Sequence, residues 1–388
     1  FDGTTLGQHA TVSDPVSGDQ TWEKVVSKNL GLDLNMFNNR LSLTTDFYIR
    51  DTKGILGKGK SLPSIYGASE PQMNANNLRT KGYELVLGWR DSFKLAGSTF
   101  SYGITGTFSD YTAEYTKCDN PTGLIGDPYV GKKYGEIWGY KVDGLFRNDK
   151  EAAEYASRID LSTVASGYYT ATGAYGKGVR GGDIKYLDLN GDNIVNGGKG
   201  TLDDPGDRRV IGNSSPRYQY GASLNFSWYG FDVSVFMQGI GRLDWYPGAD
   251  NLRFWGPYCR PYATFVPKNF MSQVWSEENP DAYFPRARAY TSLNSNSGTA
   301  YYTNDRYLQN LAYCRLKNLT IGYTIPRRLT SKVGIKECRI YFSGENLATW
   351  SALKSDFLDP EQAAADSDKK ANVYPWCKTY SIGLNLTF

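Results

Sequence analysis

The stretch Tyr380-Ser381-Ile382-Gly383-Leu384-Asn385-Leu386-Thr387-Phe388 alternates large apolar side chains with small or polar ones. Successive side chains of a β-strand point to opposite faces, so one face of this strand is apolar and the other is polar. About ten residues in a tilted strand cross the hydrocarbon core of a bilayer. The stretch therefore predicts a strand of a transmembrane β-barrel that turns its apolar face to lipid.

The same alternation recurs along the chain. Apolar positions from Val26 to Leu34 share one face, a turn follows at 36–40, and Leu41 to Ile49 repeats the pattern. Further alternating segments begin near Tyr83, Phe100, Tyr218, Phe231, Leu319 and Ile340. With the C-terminal strand, the pattern predicts nine spanning strands.

The connections between these segments alternate in length. Short turns lie near 37–40, 91–97, 229–230 and 326–337, and long segments lie near 51–77, 110–217, 241–306 and 351–374. Outer-membrane barrels have short periplasmic turns and long extracellular loops, so we expect the C-terminus in the periplasm. A soluble β-sandwich or lipocalin-like barrel predicts short connections at both ends and fits poorly.

The composition agrees with a barrel. The chain has 30 Tyr and nine Trp, and aromatic girdles of this kind lie at both interfaces of membrane barrels. Since 43 basic residues nearly balance 40 acidic ones, we expect no nucleic-acid partner. The sequence contains no run of 18 apolar residues, so it predicts no membrane-spanning helix.

An odd number of strands predicts that the barrel is incomplete. Bacterial single-chain barrels have even strand numbers, and lipid does not tolerate an open sheet edge. We therefore expect residues 1–388 to supply the C-terminal strands, with earlier strands on a missing N-terminal part or another polypeptide. The opening FDGTTLGQ has no signal-peptide pattern, which predicts a processed chain or a piece of a longer one.

Several motifs carry a resemblance to a known family. They are Asn29-Leu30-Gly31-Leu32-Asp33, Lys81-Gly82-Tyr83-Glu84-Leu85, Gly139-Tyr140-Lys141-Val142-Asp143-Gly144-Leu145-Phe146, Gly182-Asp183-Ile184-Lys185-Tyr186-Leu187-Asp188-Leu189-Asn190-Gly191-Asp192, Arg208-Arg209-Val210-Ile211-Gly212-Asn213, Gly230-Phe231-Asp232-Val233-Ser234-Val235-Phe236 and Gly344-Glu345-Asn346-Leu347. Together they resemble the SusC/RagA-type TonB-dependent transporters of Bacteroidetes, from about Trp22 to Phe388.

The resemblance implies a 22-stranded outer-membrane barrel with an N-terminal plug, which this chain does not contain. It also implies a SusD-like surface lipoprotein that captures ligand, energy from the TonB–ExbB–ExbD complex through the missing N-terminal part, and a dimer of SusC–SusD pairs as one arrangement. The implied function is active nutrient import, with a glycan or oligosaccharide as the preferred cargo. An oligopeptide importer of the same family, or a passive porin or adhesion barrel, is the alternative.

One acidic loop has the spacing of a calcium site. Asp188, Asn190, Asp192 and Ile194 occupy alternate positions, as in the first half of an EF-hand loop. Lys199 stands where the bidentate Glu would be, so Asp203 or Asp207 would have to fold back to replace it. A polar turn whose side chains cap their own backbone is an equal alternative. Structural Ca²⁺ is thus a hypothesis, and no cofactor is required.

An aromatic loop is the second candidate site. Trp245, Asp250, Arg253, Trp255 and Tyr258 combine ring faces with hydrogen-bonding groups, as sugar-binding sites do. The equal alternative is that these rings pack the loop on itself or against the lid protein.

The chain is not expected to be an enzyme. The single histidine, His9, has no catalytic partner in the pattern, and no spacing of carboxylates indicates a hydrolase. Cys118 and Cys259 lie in predicted outer loops, where they could form a disulfide, but two unpaired cysteines are the favoured interpretation. The segment starting at Asn148 predicts a capped helix inside the largest loop.

Overall fold

The computed structural model describes residues 16–18, 20–58, 65, 71–170, 178–259, 266, 268–288, 293, 300–355, 357–365 and 374–388. His9 lies outside the described residues. The chain forms two compact units. The first consists of Phe1–Leu30, Phe47–Gly82 and Tyr111–Tyr134, and the second of Gly31–Asp46, Tyr83–Asp110 and Gly135–Phe388.

Fifteen strands are present in the described part of the chain. They are β1 (Lys24–Met36), β2 (Leu41–Lys58), β3 (Gln72–Leu95), β4 (Ser98–Lys117), β5 (Glu136–Tyr140), β6 (Val142–Leu145), β7 (Ile184–Tyr186), β8 (Arg208–Asn213), β9 (Arg217–Trp228), β10 (Phe231–Arg242), β11 (Asp244–Trp245), β12 (Gln309–Asn310), β13 (Tyr313–Thr324), β14 (Glu337–Ser351) and β15 (Thr379–Thr387). Nine of them form one sheet in the order β1-β2-β3-β4-β9-β10-β13-β14-β15, so the predicted number of long strands is confirmed.

The strand register separates two kinds of row. One row crosses six strands through Tyr102, Phe226, Val233, Ile321, Phe342 and Ile382. The adjacent row, on the opposite face, consists of Gly103, Asn225, Ser234, Thr320, Ser343 and Ser381. Ile382 is 84% exposed and Ile321 is 42% exposed, so the apolar row is open to the surroundings. A sheet in water would cover such a face, and the predicted alternation of apolar and polar faces is confirmed.

The short turns confirm the expected hairpins. Phe37, Asn38 and Asn39 all have positive φ, a conformation that Asn tolerates better than most residues. The remaining turns are Ala96–Gly97, Tyr229–Gly230 and the segment after Thr324, which contains a helical turn at Arg327–Thr330 that the sequence did not predict.

The predicted ends of the first two long loops are wrong. Strand β2 continues to Lys58, β3 begins at Gln72 and β4 continues to Lys117, well inside the segments expected to be loops. These extensions consist mostly of polar and small residues, with Ile55 and Leu56 on opposite faces of β2, so the apolar alternation that identified the strands is weak there. In the first unit they are linked by polar contacts such as the Arg79 Nε bond to Asp51 Oδ1 at 2.7 Å.

The long connections of the second unit fold into a region with its own core. It contains the small sheets β5-β8, β6-β7 and β11-β12 and the helices α1 (Asp149–Ala156), α2 (Ser166–Thr170) and α3 (Leu252–Trp255). The remaining helix, α4 (Arg327–Thr330), lies outside this region, in the short turn between β13 and β14. Helix α1 confirms the predicted capped helix, because Asn148 Oδ1 accepts a hydrogen bond from Glu151 N at 2.9 Å.

No helix in the described ranges is long and apolar enough to cross a membrane. Cys118 is a free thiol, so the disulfide between Cys118 and Cys259 is not formed.

Candidate functional site

The rings of Trp255 and Tyr258 lie inside the core of the loop region. Trp255 is 0% exposed and Tyr258 is 2% exposed. The Trp255 ring contacts Phe254 at a centroid distance of 4.8 Å, and its Nε1 donates to Gly248 O at 3.0 Å. Tyr258 Oη donates to Pro285 O. These two rings therefore pack the loop on itself, which was the alternative to stacking on a sugar.

The other three predicted residues, Trp245, Asp250 and Arg253, differ in how exposed they are and in what surrounds them. Trp245 is buried with Leu243, Leu311 and Ala363, and its Nε1 has no hydrogen-bond partner among the described residues. Asp250 is exposed. Arg253 lines an open cleft.

This cleft, here called the loop cleft, has a volume of about 400 Å³. It is lined by Leu252, Arg253, Phe254, Gly256, Asn269, Phe270, Gln273, Tyr283, Phe284, Leu353, Lys354, Ser355 and Phe357. Helix α3 presents Arg253 because the buried side chain of Asn251 starts the helix by accepting from Phe254 N at 3.0 Å. The opposite wall belongs to the segment after β14, where Lys354 places its Nζ 4.9 Å from the centre of the Tyr283 ring.

Gln309 connects Tyr283, at the floor of the loop cleft, with the wall that carries Lys354. Its Nε2 donates to Tyr283 Oη at 2.9 Å, and its Oε1 accepts from Lys354 N at 3.3 Å. Gln309 is only 2% exposed, so both hydrogen bonds are shielded from water. Burial raises the pKa of Tyr283 to about 12, and the phenol stays neutral.

Arg315 holds the segment that carries Lys354. The guanidinium is 2% exposed on its side chain and donates to Asp359 Oδ1 at 2.8 Å and to Glu361 Oε2 at 2.7 Å. Lys317 Nζ adds a bond to Glu361 at 2.8 Å. A forked Arg–carboxylate arrangement restricts geometry more than a single ion pair does, so the wall is fixed before any ligand arrives.

A second buried ion pair lies deeper in the loop region. Arg288 Nη2 contacts Asp183 Oδ2 at 2.6 Å, and the Arg288 guanidinium lies over the Tyr168 ring at 4.1 Å. Burial raises the pKa of Asp183 to about 6, although the Arg288 charge opposes the shift. This pair joins distant loop segments and does not line the loop cleft.

The acidic loop forms a chain of side-chain-to-backbone turns. Asp188 accepts from Gly191 N at 2.7 Å and from Asn193 N at 2.9 Å, and Asp192 Oδ1 accepts from Ile194 N at 2.8 Å. These bonds are those of the polar-turn alternative, in which short polar side chains cap the local backbone.

Asp207 is brought to the same loop and Asp203 is not bonded to it. The Asp207 side chain is fully buried and accepts from Leu189 N and Asn196 N, whereas Asp203 is exposed. No cluster of three or more His, Cys, Asp or Glu side chains in the described ranges is arranged to hold a metal. Calcium stays a prediction, and it would need amide, backbone or water oxygens as ligands.

Comparisons with known proteins show what this chain is similar to. No family model matches it. TonB-dependent receptor P3 of Formosa agariphila is 25% identical over 399 residues, which cover 97% of this chain and 35% of the relative. SusC of Bacteroides thetaiotaomicron is 22% identical over 376 residues, which cover 95% of this chain and 32% of SusC. The chain is similar to the SusC/RagA type of TonB-dependent receptor. This confirms the resemblance carried by the sequence motifs.

Solved structures show the same fold. This chain aligns with a structure of the RagAB peptide transporter at a TM-score of 0.66 and 20% identity, covering 99% of this chain and 38% of that one. A structure of the RagAB peptide importer in the open-open state aligns with a TM-score of 0.66 and 21% sequence identity. The chain spans about a third of the length of the curated relatives it matches.

Sequence reasoning missed most residues of the loop cleft. Tyr283 and Gln309 are far apart in the connection between β10 and β13, and Lys354 lies in the connection between β14 and β15, so no local motif joins them. The signal that was present, Arg253 beside several aromatic residues, identified one wall only.

Proposed function

We propose that this chain is part of an outer-membrane transporter that imports a nutrient by TonB-dependent active transport. The observation that supports this most strongly is the exposed apolar row that crosses the sheet from Tyr102 on β4 to Ile382 on β15, with a polar row on the opposite face of the same sheet. A lipid-facing barrel wall needs that arrangement, since lipid contacts one face and the lumen the other. The likeness to TonB-dependent receptors supplies the transport class.

The proposed cargo is a glycan or oligosaccharide. An open cleft that combines aromatic rings with cationic and amide side chains suits a ligand with apolar faces and polar groups. An oligopeptide is the alternative within the family, and the structural neighbours are named as a peptide transporter and a peptide importer. A passive porin or adhesion barrel is a second alternative.

The proposed partners follow from the family. They are a SusD-like lipoprotein lid, the TonB–ExbB–ExbD complex acting through parts outside this chain, and a second SusC–SusD pair. We place the C-terminus in the periplasm, at the end with the short turns. The relatives are named as receptors and transporters, which supports a role other than catalysis.

Uptake by cells tests the proposal. The gene that encodes this chain is deleted, and uptake of labelled oligosaccharides and oligopeptides is compared with that of the parent strain and of a strain lacking TonB. We expect one class of cargo to lose uptake equally in both mutants. Uptake that needs this gene but not TonB would show a passive porin. Selective loss of peptide uptake would replace the glycan with a peptide.

A further inference from the structure

The loop cleft has an uneven distribution of charge. Arg253 and Lys354 bring two positive charges to it, and none of the described residues that line it is acidic. The other polar lining groups are the neutral side chains of Asn269, Gln273 and Ser355. The chain as a whole nearly balances its charges, with 43 basic and 40 acidic residues, so the excess is confined to the described lining of the cleft.

Both cations keep hydrogen-bonding capacity. Arg253 Nη1 donates to Phe357 O at 3.5 Å, a long bond, and to no other described residue. Lys354 Nζ rests over the Tyr283 ring at 4.9 Å and forms no ion pair with a described carboxylate. A guanidinium has five N–H donors and an ammonium three, so most of these donors are available to a ligand.

The aromatic floor of the loop cleft is buried and packed. Phe254 and Phe284 are 2% and 3% exposed, and their rings meet at a centroid distance of 5.8 Å. Tyr283 O accepts from Arg306 Nη2 at 3.0 Å and from Tyr307 Oη at 3.2 Å, which holds the floor from behind. With Gln309 and Arg315 fixing the opposite wall, the cleft is organised in advance, and this reduces the entropy that binding must overcome.

We propose that the loop cleft binds a carboxylate group carried next to an apolar ligand surface. Arg253 and Lys354 would take the carboxylate by charge-assisted hydrogen bonds, and the aromatic floor would contact the apolar surface beside it. The carboxylate has two sources, an acidic sugar such as a uronic acid or the end of a peptide. This inference rests on the proposed import function and specifies the ligand that the site selects.

Binding to the purified full-length receptor tests the inference. The probes are oligogalacturonate and its methyl ester, and a tripeptide with a free C-terminal carboxylate and its amide. Titration calorimetry is carried out on the wild type, Arg253→Gln, Lys354→Gln and a matched control. The control is Lys332→Gln, which removes an exposed charge on the turn after α4. Heat-modifiable gel migration establishes that each variant folds.

We expect one acid to bind about tenfold or more tightly than its neutral partner, because a hydrogen bond to a charged group contributes that much. Each cleft variant should weaken binding of that acid about tenfold and leave its neutral partner unchanged, while Lys332→Gln has no effect. Preference for oligogalacturonate identifies the sugar source, and preference for the free peptide identifies the peptide source. The inference is overturned if neither acid is preferred or if the cleft variants bind it as the wild type does. TonB-dependent uptake at the wild-type rate by a variant that combines Arg253→Gln with Lys354→Gln would refute carboxylate binding by the cleft and leave the transport function intact.

Discussion

Arg339 on β14 pairs with Asp232 on β10 across the intervening strand β13, with Nε 2.9 Å from Oδ1. The two residues are 107 positions apart in sequence. They meet because Gly322 lies between them and has no side chain. A Cβ built on Gly322 would lie 2.6 Å from Arg339 Nε and 2.6 Å from Asp232 Oδ1. The ion pair thus fills, on the face opposite the apolar row, the space that a glycine leaves open.

Replacing Gly322 should therefore break this contact. The Gly322→Ala variant is expected to unfold more easily, by about 1 to 3 kcal/mol, because the new methyl group displaces both charged side chains. Gly106→Ala is the matched control, since a Cβ on that strand glycine meets nothing within 4 Å. Thermal unfolding followed by heat-modifiable gel migration measures the difference. Equal midpoints for the two variants would contradict the role given to Gly322.

The two faces of one strand predict opposite responses to the same charge. Leu224 is paired with Ile104 and Val235 in an apolar row, and Asn225 is paired with Gly103 and Ser234 on the other face. Leu224→Lys should destabilise the barrel by up to about 2 to 4 kcal/mol, the value for a lipid-facing lysine near the bilayer midplane. Asn225→Lys should change it little. The amount of folded protein in isolated outer membranes measures both, and equal yields would argue against a lipid-facing Leu224.

The faces of the strands could be predicted from sequence because alternation is a local property. Ile321 and Thr320 are adjacent, and their opposite orientations follow from the strand period alone. The partnership of Asp232 and Arg339 could not be predicted, because it depends on the register of three strands. A one-residue shift of that register would turn every side chain to the other face.

The candidate site was harder to predict for a different reason. From sequence, Trp255 is equally consistent with a ring that stacks on a ligand and with a ring that packs the loop on itself, because aromatic and hydrogen-bonding residues are mixed in this long connection. A long connection that folds must build a core of its own, and Trp255 at 0% exposure is part of that core. Lys354 has no aromatic residue beside it in sequence, and only the tertiary structure brings it to Tyr283.

Arg315 is expected to control the order of the segment that carries Lys354. In Arg315→Gln the carboxylates of Asp359 and Glu361 lose their main cation, and loss of one partner of a buried ion pair costs about 3 to 5 kcal/mol. We expect faster hydrogen exchange in residues 357–365, with no change at β15. Arg328→Gln, at the exposed turn after β13, is the control. Unchanged exchange at 357–365 in Arg315→Gln would show that the ion pairs do not hold this segment.

Calcium at the acidic loop has a separate test. If Ca²⁺ binds there, millimolar calcium should slow hydrogen exchange in residues 188–196 relative to a chelator, because ligation orders the loop. Asp188→Asn should remove most of this effect, whereas Asp203→Asn should remove it only if that exposed carboxylate folds back. Exchange that is independent of calcium would leave the loop as a polar turn.

The central claim is that the apolar row faces lipid and the row beside it does not. Spin labels on single cysteines at Ile382 and, separately, at Ser381 test it in a cysteine-free background reconstituted into bilayers. We predict that the label at position 382 collides mainly with membrane-dissolved oxygen and that the label at 381 collides mainly with a water-soluble nickel complex. Equal access of the nickel complex to both positions would contradict a membrane-spanning strand at Thr379–Thr387.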